Sequence, residues 1–412
     1  MIPGPTVKVG MGGDGAGGAA FCADRAPRMF PTSPPTKGQK TRVTVRQHER
    51  HMRRALELAA RGRGLVSPNP MVGAVIVRGG QVVGEGWYEG PRGRPHAEIN
   101  ALREAGDRAR GATLYCTLEP CDHHGSTPPC TDAVIASGIT SVVVAAGDPN
   151  PIVDGRGFAR LRDAGIDTSD GVLADEAHRM NAAFERHVTT GLPFVTWKAA
   201  ASLDGKTAAR DRSSKWITGE PARADVQRLR ADADAIAVGA GTVLADDPSL
   251  TVRHPAYVGP PPLRVVVDAA GRVPAGAAVF DGTAPTFVAT TDRAAREHVD
   301  AWTAAGADVG TFGDDGSGGV ALPELLGHLG KRDVQGLVVE GGATLAWSFV
   351  RDGLVDRVVL YLAPKLIGGV DAPGVLAGPG FAPIGDALDL RITSVERIGD
   401  DVRVEADVHR DR

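Results

Sequence analysis

Four residues in the first third of this 412-residue chain have types and spacing suited to joint chemistry: His96, Glu98, Cys121 and Cys130. His96-Ala-Glu98 opens a helical stretch, and Pro120-Cys121 and Cys130 follow the end of an apolar strand. One imidazole and two thiolates suit a catalytic zinc that keeps its fourth tetrahedral position for water. Removing a ring amine by hydrolysis also needs a carboxylate that is not a ligand, to take the water's proton and pass it to the departing nitrogen. Glu98, two residues from His96, suits that work. Cys121 and Cys130 each precede or open a helical stretch, where the helix dipole favours the thiolate. Taken singly these residues have plainer readings, His96 as a helix-end polar group and the cysteines as buried thiols. The order His-x-Glu…Pro-Cys…Cys on a helix–strand–helix frame points to deamination. Cys116 is read as structural on a strand, and His123 and His124 as exposed loop histidines.

The elements that must position this set follow from periodicity. Residues 47–61 carry Met52, Ala55, Leu56 and Ala59 at helical spacing. Residues 71–77 and 81–84 flank Gly79-Gly80 as a hairpin. A helix over 97–105 ending at Gly106, a strand over 112–118, a helix over 130–137, a strand over 141–145 and a helix over 157–164 complete an α/β layered domain. Around 181–193 the alternation stops and Gly191-Leu-Pro193 punctuates the chain. A second series follows, with strands at 194–199, 235–238, 264–268, 286–290, 335–340 and 355–363, and helices at 221–232, 292–303 and 343–352. It closes on a hairpin, 391–397 and 402–408, around Gly399-Asp400. The expected organisation is an N-terminal extension over 1–45, rich in Gly, Pro and Thr and outside the fold, then α/β domains over 46–190 and 191–412.

Composition narrows the function classes. A net charge of −4 gives no general attraction to nucleic acid or anionic membrane, so an anionic ligand must be held by locally placed Lys and Arg. No apolar run approaches bilayer-spanning length and the N-terminus lacks the apolar core of a signal peptide, so a cytoplasmic enzyme is expected. Four cysteines, with Cys22 in the extension and Cys116 on a strand, make no disulfide framework.

The second half offers two glycine-bearing segments. Val238-Gly-Ala-Gly-Thr242 after a strand lacks the third glycine of a dinucleotide fingerprint. Glu340-Gly-Gly-Ala-Thr344 lies between an apolar strand and a helix. It is either a tight turn or a place where backbone and helix N-terminus meet a phosphate.

Thr117-Leu-Glu-Pro-Cys-Asp-His-His-Gly-Ser-Thr-Pro-Pro-Cys130, with eight residues between the cysteines, resembles the zinc loop of the bifunctional riboflavin-biosynthesis deaminase/reductase family. So do Ser67-Pro-Asn-Pro-Met-Val-Gly73, Pro95-His-Ala-Glu98 and Asp148-Pro-Asn-Pro151. In the second half Lys198-Ala-Ala-Ala-Ser-Leu-Asp-Gly205, Ser214-Lys-Trp-Ile-Thr218, Thr242-Val-Leu-Ala-Asp-Asp-Pro248 and Leu250-Thr-Val-Arg253 are similar to its reductase. The resemblance implies a cytidine-deaminase-like three-layer domain followed by a dihydrofolate-reductase-like domain. It implies Zn2+ on His96, Cys121 and Cys130, Glu98 as proton shuttle, and Asn69 against the pyrimidine, a residue that otherwise reads as a turn between two prolines. It further implies NADPH lined by Ala200, Trp216, Thr242, Asp246, Gly342, Ala343, Thr344, Leu345, Ala346, Trp347 and Ser348. Substrate would meet Ser214, Arg230, Leu250, Arg253 and Glu340, with Lys198 and Glu340 catalytic. The implied partner is a small phosphoribosyl pyrimidine, with no nucleic acid or membrane, and the implied assembly is a homo-oligomer.

A ribosylamine must open to a protonated imine before its C1′ accepts hydride, so an acid/base group beside that carbon is required. Arg230 and Arg253 either clamp the 5-phosphate or are solvated charges, and Lys198 either serves the sugar carbon or caps a strand end. Where family members carry a basic residue before Thr-Pro-Pro-Cys, this chain has Ser126, and Asp122 replaces the family's Ser. Arg92 and Arg94 are the expected compensating cations. Rival readings are a deaminase of nucleosides or tRNA with an inert reductase half, and a zinc-stabilised scaffold. An intact Glu98 argues against the scaffold, which needs no proton shuttle.

Overall fold

Thr44 starts the first helix, α1 (Val45–Ala59), through a capping box in which Gln47 N–H meets Thr44 Oγ1 and Thr44 N–H meets Gln47 Oε1. The computed structural model describes residues 44–409 except 91, 92, 126, 151, 152 and 154, so the extension expected up to residue 45 lies, as far as Val43, outside the described residues. Strands β1 (Gly73–Arg78), β2 (Gln81–Trp87), β3 (Thr113–Leu118), β4 (Ser141–Ala146) and β5 (Asp167–Ser169) form a sheet in the order β2-β1-β3-β4-β5. β1 runs antiparallel to both neighbours, and β3, β4 and β5 are parallel.

Strand alternation sends successive side chains to opposite faces, and here it makes three layers. Ala74, Ile76, Leu114, Cys116, Val142 and Val144 pack against α2 (Ala97–Ala105), α3 (Cys130–Ser137) and α4 (Arg156–Asp163). Val75, Val77, Tyr115, Val143 and Ala145 pack against α1 and α5 (Ala174–Met180). Glycines let helices approach closely: a Cβ at Gly73 would stand 2.0 Å from the Ala55 carbonyl, and one at Gly86 would stand 2.2 Å from that of Ala97. The alternation expected to stop near residue 181 instead gives two short helices, α5 and α6 (Ala182–Thr190), separated by Asn181.

The second sheet has the order β10-β9-β8-β7-β11-β6-β12-β14-β13 among the described residues. Its strands are β6 (Phe194–Ser202), β7 (Ala235–Gly239), β8 (Leu263–Val267), β9 (Thr286–Thr290), β10 (Asp308–Thr311), β11 (Gly336–Glu340), β12 (Arg357–Ala363), β13 (Leu390–Ile398) and β14 (Asp401–Val408). From β10 to β12 neighbours are parallel, and β14 and β13 add an antiparallel edge. One face packs Val195, Trp197, Ala237, Val265, Phe287, Leu337 and Val339 on α10 (Leu322–Gly330) and α11 (Ala343–Arg351). The other face carries Val359 and Tyr361 with Ala222 and Val226 of α7 (Glu220–Ala231). It also carries Ile236, Val238 and Val266 with Val243 of α8 (Ala240–Asp246) and with Trp302 of α9 (Arg296–Ala304). Helices α8 and α10 and strand β10 were not expected from the periodicity. No helix of the described residues is long and apolar enough to cross a membrane.

Candidate active sites

In the first half, His96 is the extended residue that caps α2, so its ring stands clear of the helix while Glu98 occupies the first turn. Cys130 opens α3, and Cys121 lies on the loop leaving β3. His96 Nδ1 sits 3.5 Å from Cys121 Sγ and 3.2 Å from Cys130 Sγ, and the three donor atoms all lie within 4.8 Å of one another. The Cys130 thiol hydrogen-bonds to Cys121, holding the Cys121 thiol well below its ordinary value and raising its own. Two thiols sharing one proton beside an imidazole fit a tetrahedral zinc, which requires both as thiolates. Glu98 is 3% exposed, and burial, reinforced by the Cys121 sulfur, pushes its carboxyl up to about 7.

His96, Glu98 and Cys121 edge a cavity of about 350 Å³ that is also lined by Asn69, Tyr88, His123, Thr127, Asp148 and Asn150. Asn69 Nδ2 donates to Tyr88 Oη at 3.1 Å, and the Tyr88 ring meets His96 edge-on at 5.6 Å. Asn69, His96, Glu98, Cys121 and Cys130 are thus brought to one site. His123, expected to be exposed, is half-buried on the wall of this cavity, whereas His124 is exposed.

Asp122 does not face the cavity. It accepts from Thr131 Oγ1 at 2.6 Å and pairs with Arg160 at 3.2 Å, so its charge is spent on α3 and α4. Arg94 is exposed and absent from the cavity wall, and Arg92 and Ser126 lie outside the described residues.

Glu119 plays a part the residue patterns did not reveal. It is buried and accepts from the backbone N–H groups of Gly155 and Phe158, each at 3.2 Å, which ties the zinc loop to the start of α4. Gly157 completes that contact, because a Cβ there would stand 2.0 Å from the Pro120 carbonyl. Asp148, on the cavity wall, has its carboxyl pushed up to about 6, chiefly by burial.

In the second half, strand alternation turns Trp197 and Val339 toward α10 and α11 and the register partners Lys198 and Glu340 toward the opposite face. Ala222, Val226 and Arg230 recur every fourth residue on α7, so Arg230 shares the buried stripe of that helix. Its guanidinium grips Glu340 with two bonds of 2.7 and 2.9 Å and donates to the Thr251 carbonyl at 3.1 Å. Lys198 Nζ is 3.7 Å from Glu340 Oε2. Burial alone would raise the Glu340 carboxyl, but Lys198 and Arg230 outweigh it and hold it down at about 2. Arg230 is therefore neither a solvated charge nor a free phosphate clamp, since Glu340 already takes its fork.

A cavity of about 580 Å³ lies alongside, lined by Thr242, Asp246, Gly342, Ala343, Thr344, Leu345 and Ser348 among others. Gly341 and Gly342 both adopt positive φ, 69° and 70°, and a Cβ on either would press on Thr242 Oγ1. The cavity thus meets bare backbone at the N-terminus of α11, a setting that fits the phosphates of a dinucleotide. Several expected lining residues sit elsewhere. Ala346 and Trp347 turn into the core, because one helix face alone can reach the cavity. Leu250 is 2% exposed and packs with Val243 and Val266, so that loop can offer a ligand its backbone but not this side chain. Trp216 is 64% exposed and lies against the Arg223 guanidinium at 4.6 Å. Ala200 and Ser214 are half-buried away from the cavity wall, and Arg253 is exposed beside Ser249 Oγ at 3.4 Å.

The comparisons agree with this two-part layout. A family profile described as the cytidine and deoxycytidylate deaminase zinc-binding region matches residues 45–146, and one described as the RibD C-terminal domain matches residues 193–404. The riboflavin biosynthesis protein RibD of Bacillus amyloliquefaciens is 45% identical over 374 residues, covering 88% of this chain and 100% of that protein. The protein of the same name from Escherichia coli strain K12 is 43% identical over 367 residues, covering 86% and 98%. Among solved structures, Acinetobacter baumannii RibD (form 1) aligns with a TM-score of 0.79 at 37% identity, covering 89% of this chain and 100% of that one. A Thermotoga maritima protein described as a diaminohydroxyphosphoribosylaminopyrimidine deaminase/5-amino-6-(5-phosphoribosylamino)uracil reductase aligns with a TM-score of 0.77 at 36% identity, covering 89% and 99%.

Proposed function

The chain belongs to the RibD family of riboflavin biosynthesis proteins, and from that premise we propose that it performs two consecutive reactions on one phosphoribosyl pyrimidine. The half over 46–190, cytidine-deaminase-like in fold, hydrolyses the 2-amino group of 2,5-diamino-6-(5-phosphoribosylamino)pyrimidin-4-one to an oxo group and releases ammonia. The half over 191–412, dihydrofolate-reductase-like, reduces the ribosyl chain of the product to ribityl with NADPH. The observation that carries the first reaction is Glu98, buried at the cavity edge beside three convergent metal donors and not one of them.

His96, Cys121 and Cys130 would hold zinc, which supplies a Lewis acid that acidifies water at the site. Glu98 takes the proton of that water at its carboxylate and delivers it to the departing amine, while Asn69 orients the pyrimidine. In the second half Thr242, Asp246, Gly342, Ala343, Thr344, Leu345 and Ser348 would hold NADPH, which would supply the hydride. Lys198 Nζ moves the proton needed at the ring-opened sugar, Glu340 and Arg230 fix its position, and Ser214 and Arg253 border the substrate. A small-molecule partner and a cytoplasmic setting follow from this chemistry. A homo-oligomer is supported by the edge strand β13, which exposes Ile392 (63%) and Val395 (62%).

The test is direct. Zinc-loaded protein given the diamino pyrimidine without NADPH should release one ammonia per substrate, and NADPH oxidation should begin only with the deaminated product. Cys121→Ser should lose zinc and ammonia release together while reduction of the deaminated product continues. No ammonia from a fully zinc-loaded enzyme would overturn the reading.

A further inference from the structure

The loop bearing Asn69 is held from both sides, and one of the two holds comes from the other half of the chain. On one side Asn181, 4% exposed between α5 and α6, reads both polar groups of the Met71 backbone. Its Oδ1 accepts from Met71 N–H at 2.8 Å and its Nδ2 donates to the Met71 carbonyl at 3.0 Å. On the other side Gln335 Nε2, from the residue just before β11, donates to the Pro68 carbonyl at 2.7 Å. Asn69 sits between these anchors, its side chain on the wall of the zinc cavity.

Gln335 is well placed to act as a fixed arm. It is 5% exposed; its backbone N–H and that of Gly336 donate to Asp234 Oδ2 at 2.9 and 2.8 Å, and its carbonyl accepts from Phe194 N–H at 2.7 Å. With its backbone pinned on both sides, little freedom is left to the amide. Upstream the same loop is pressed onto the end of α7. Arg63 pairs with Asp232 at 3.0 Å, and a Cβ at Gly64 would stand 2.2 Å from the Ala231 carbonyl. Gln335 therefore meets a loop that has already been brought against the second half, and its amide sets the position of the Pro68 carbonyl next to Asn69.

We infer that Gln335 is a positioning residue of the deaminase site, supplied by the reductase half. The inference rests on the reading that Asn69 meets the pyrimidine. Gln335 stands at the N-terminal end of β11 and Glu340 at the C-terminal end, so the side chain of Gln335 serves one site and not the other.

Gln335→Leu keeps the volume, removes the amide and leaves the Pro68 carbonyl without its donor. In the full-length zinc-loaded protein the KM for the diamino pyrimidine should rise roughly threefold to tenfold, the range expected from one lost neutral hydrogen bond. The kcat of deamination should stay within about twofold, with zinc still bound by each chain, because the donors and Glu98 are untouched. Both constants for reducing the deaminated product should be unchanged. Gln335→Asn keeps a polar amide but is one methylene too short to reach Pro68, so it should raise the same KM, and it carries the test if the leucine variant does not fold. An unchanged KM for deamination in the folded variants, or deamination and reduction falling together, overturns the inference. Asn69→Ala, measured in parallel, separates the two levels. A raised KM there with none in the Gln335 variants removes the positioning role alone. No change in Asn69→Ala removes the assignment of the loop to the pyrimidine, and the inference with it.

Discussion

Glu98→Gln is expected to keep one zinc per chain and to lower ammonia release by roughly a hundredfold to ten-thousandfold, the range of a positioned acid/base group. Glutamine has the same shape and fills the same buried place in the first turn of α2, so the ligand geometry of His96, Cys121 and Cys130 should survive. What it cannot do is accept a proton and return it. Glu98 suits that exchange because it is buried at the cavity edge beside the three metal donors without being one of them, and burial favours its protonated form. Reduction of the already deaminated pyrimidine should be untouched, since Lys198, Arg230 and Glu340 belong to the second half of the chain. Metal analysis and an ammonia assay on the same preparation decide it. A glutamine variant that deaminates at the wild-type rate would end the proton-shuttle assignment.

Glu340→Gln is expected to abolish reduction and also to destabilise the fold. Glu340 and Arg230 are 6% and 9% exposed, and Lys198 joins them at 3.7 Å. Removing the carboxylate leaves two cations facing each other with no counter-charge, and breaking a buried pair in this way costs about 3–5 kcal/mol. The pH dependence has a definite sign. The carboxyl is held at about 2 in the folded chain, below its ordinary value of 4.5. Its contribution is therefore complete above the unfolded value and is lost as pH falls from there toward 2. The difference in unfolding free energy between wild type and variant should be largest near pH 7 and should shrink steadily below pH 4.5. A difference that stayed flat to pH 3, or grew on acidification, would mean that Glu340 is not ionised against Arg230 and Lys198 in the native chain. Ammonia release by the variant at neutral pH should persist wherever it remains folded.

The zinc set was legible because its members are close in sequence and each lies at the end of an element that periodicity can locate. The layering of the first sheet was legible for a similar reason: Val75 and Val77 alternate with Ala74 and Ile76, and the helices between strands carry clear apolar stripes. The second site was harder. Arg230 and Glu340 are 110 residues apart, and they become partners only because α7 packs on β12 and so brings Arg230 to the end of β11. The stripe Ala222, Val226, Arg230 held the clue, since an arginine in line with two buried aliphatic residues must find a counter-charge. Glycine misled in two places. Val238-Gly-Ala-Gly-Thr242 read only as an incomplete dinucleotide fingerprint, yet Gly239 caps α8 and the helix starts at once. Gly327 and Gly330 obscured α10, although Leu322, Leu325, Leu326 and Leu329 keep helical spacing there. The seven-residue run 342–348 was carried over whole, and a helix cannot turn all of its faces to one ligand. Asn181 and Gln335 gave no local signal at all, because their work is done on backbone groups far along the chain.

β11 has a kinetic corollary. It is five residues long, so Gln335 at the Asn69 loop and Glu340 at the second site are separated by about 16 Å of extended backbone. The strands on either side of it, β6 and β7, run parallel to it. The deaminated product is therefore expected to leave the first site before the second captures it. Deamination and reduction then behave as two enzymes in series that happen to share a backbone. NADPH oxidation started from the diamino pyrimidine should show a lag while free intermediate accumulates, and added deaminated product should abolish that lag. Oxidation at full rate from the first moment, with no intermediate detectable in solution, would overturn this expectation.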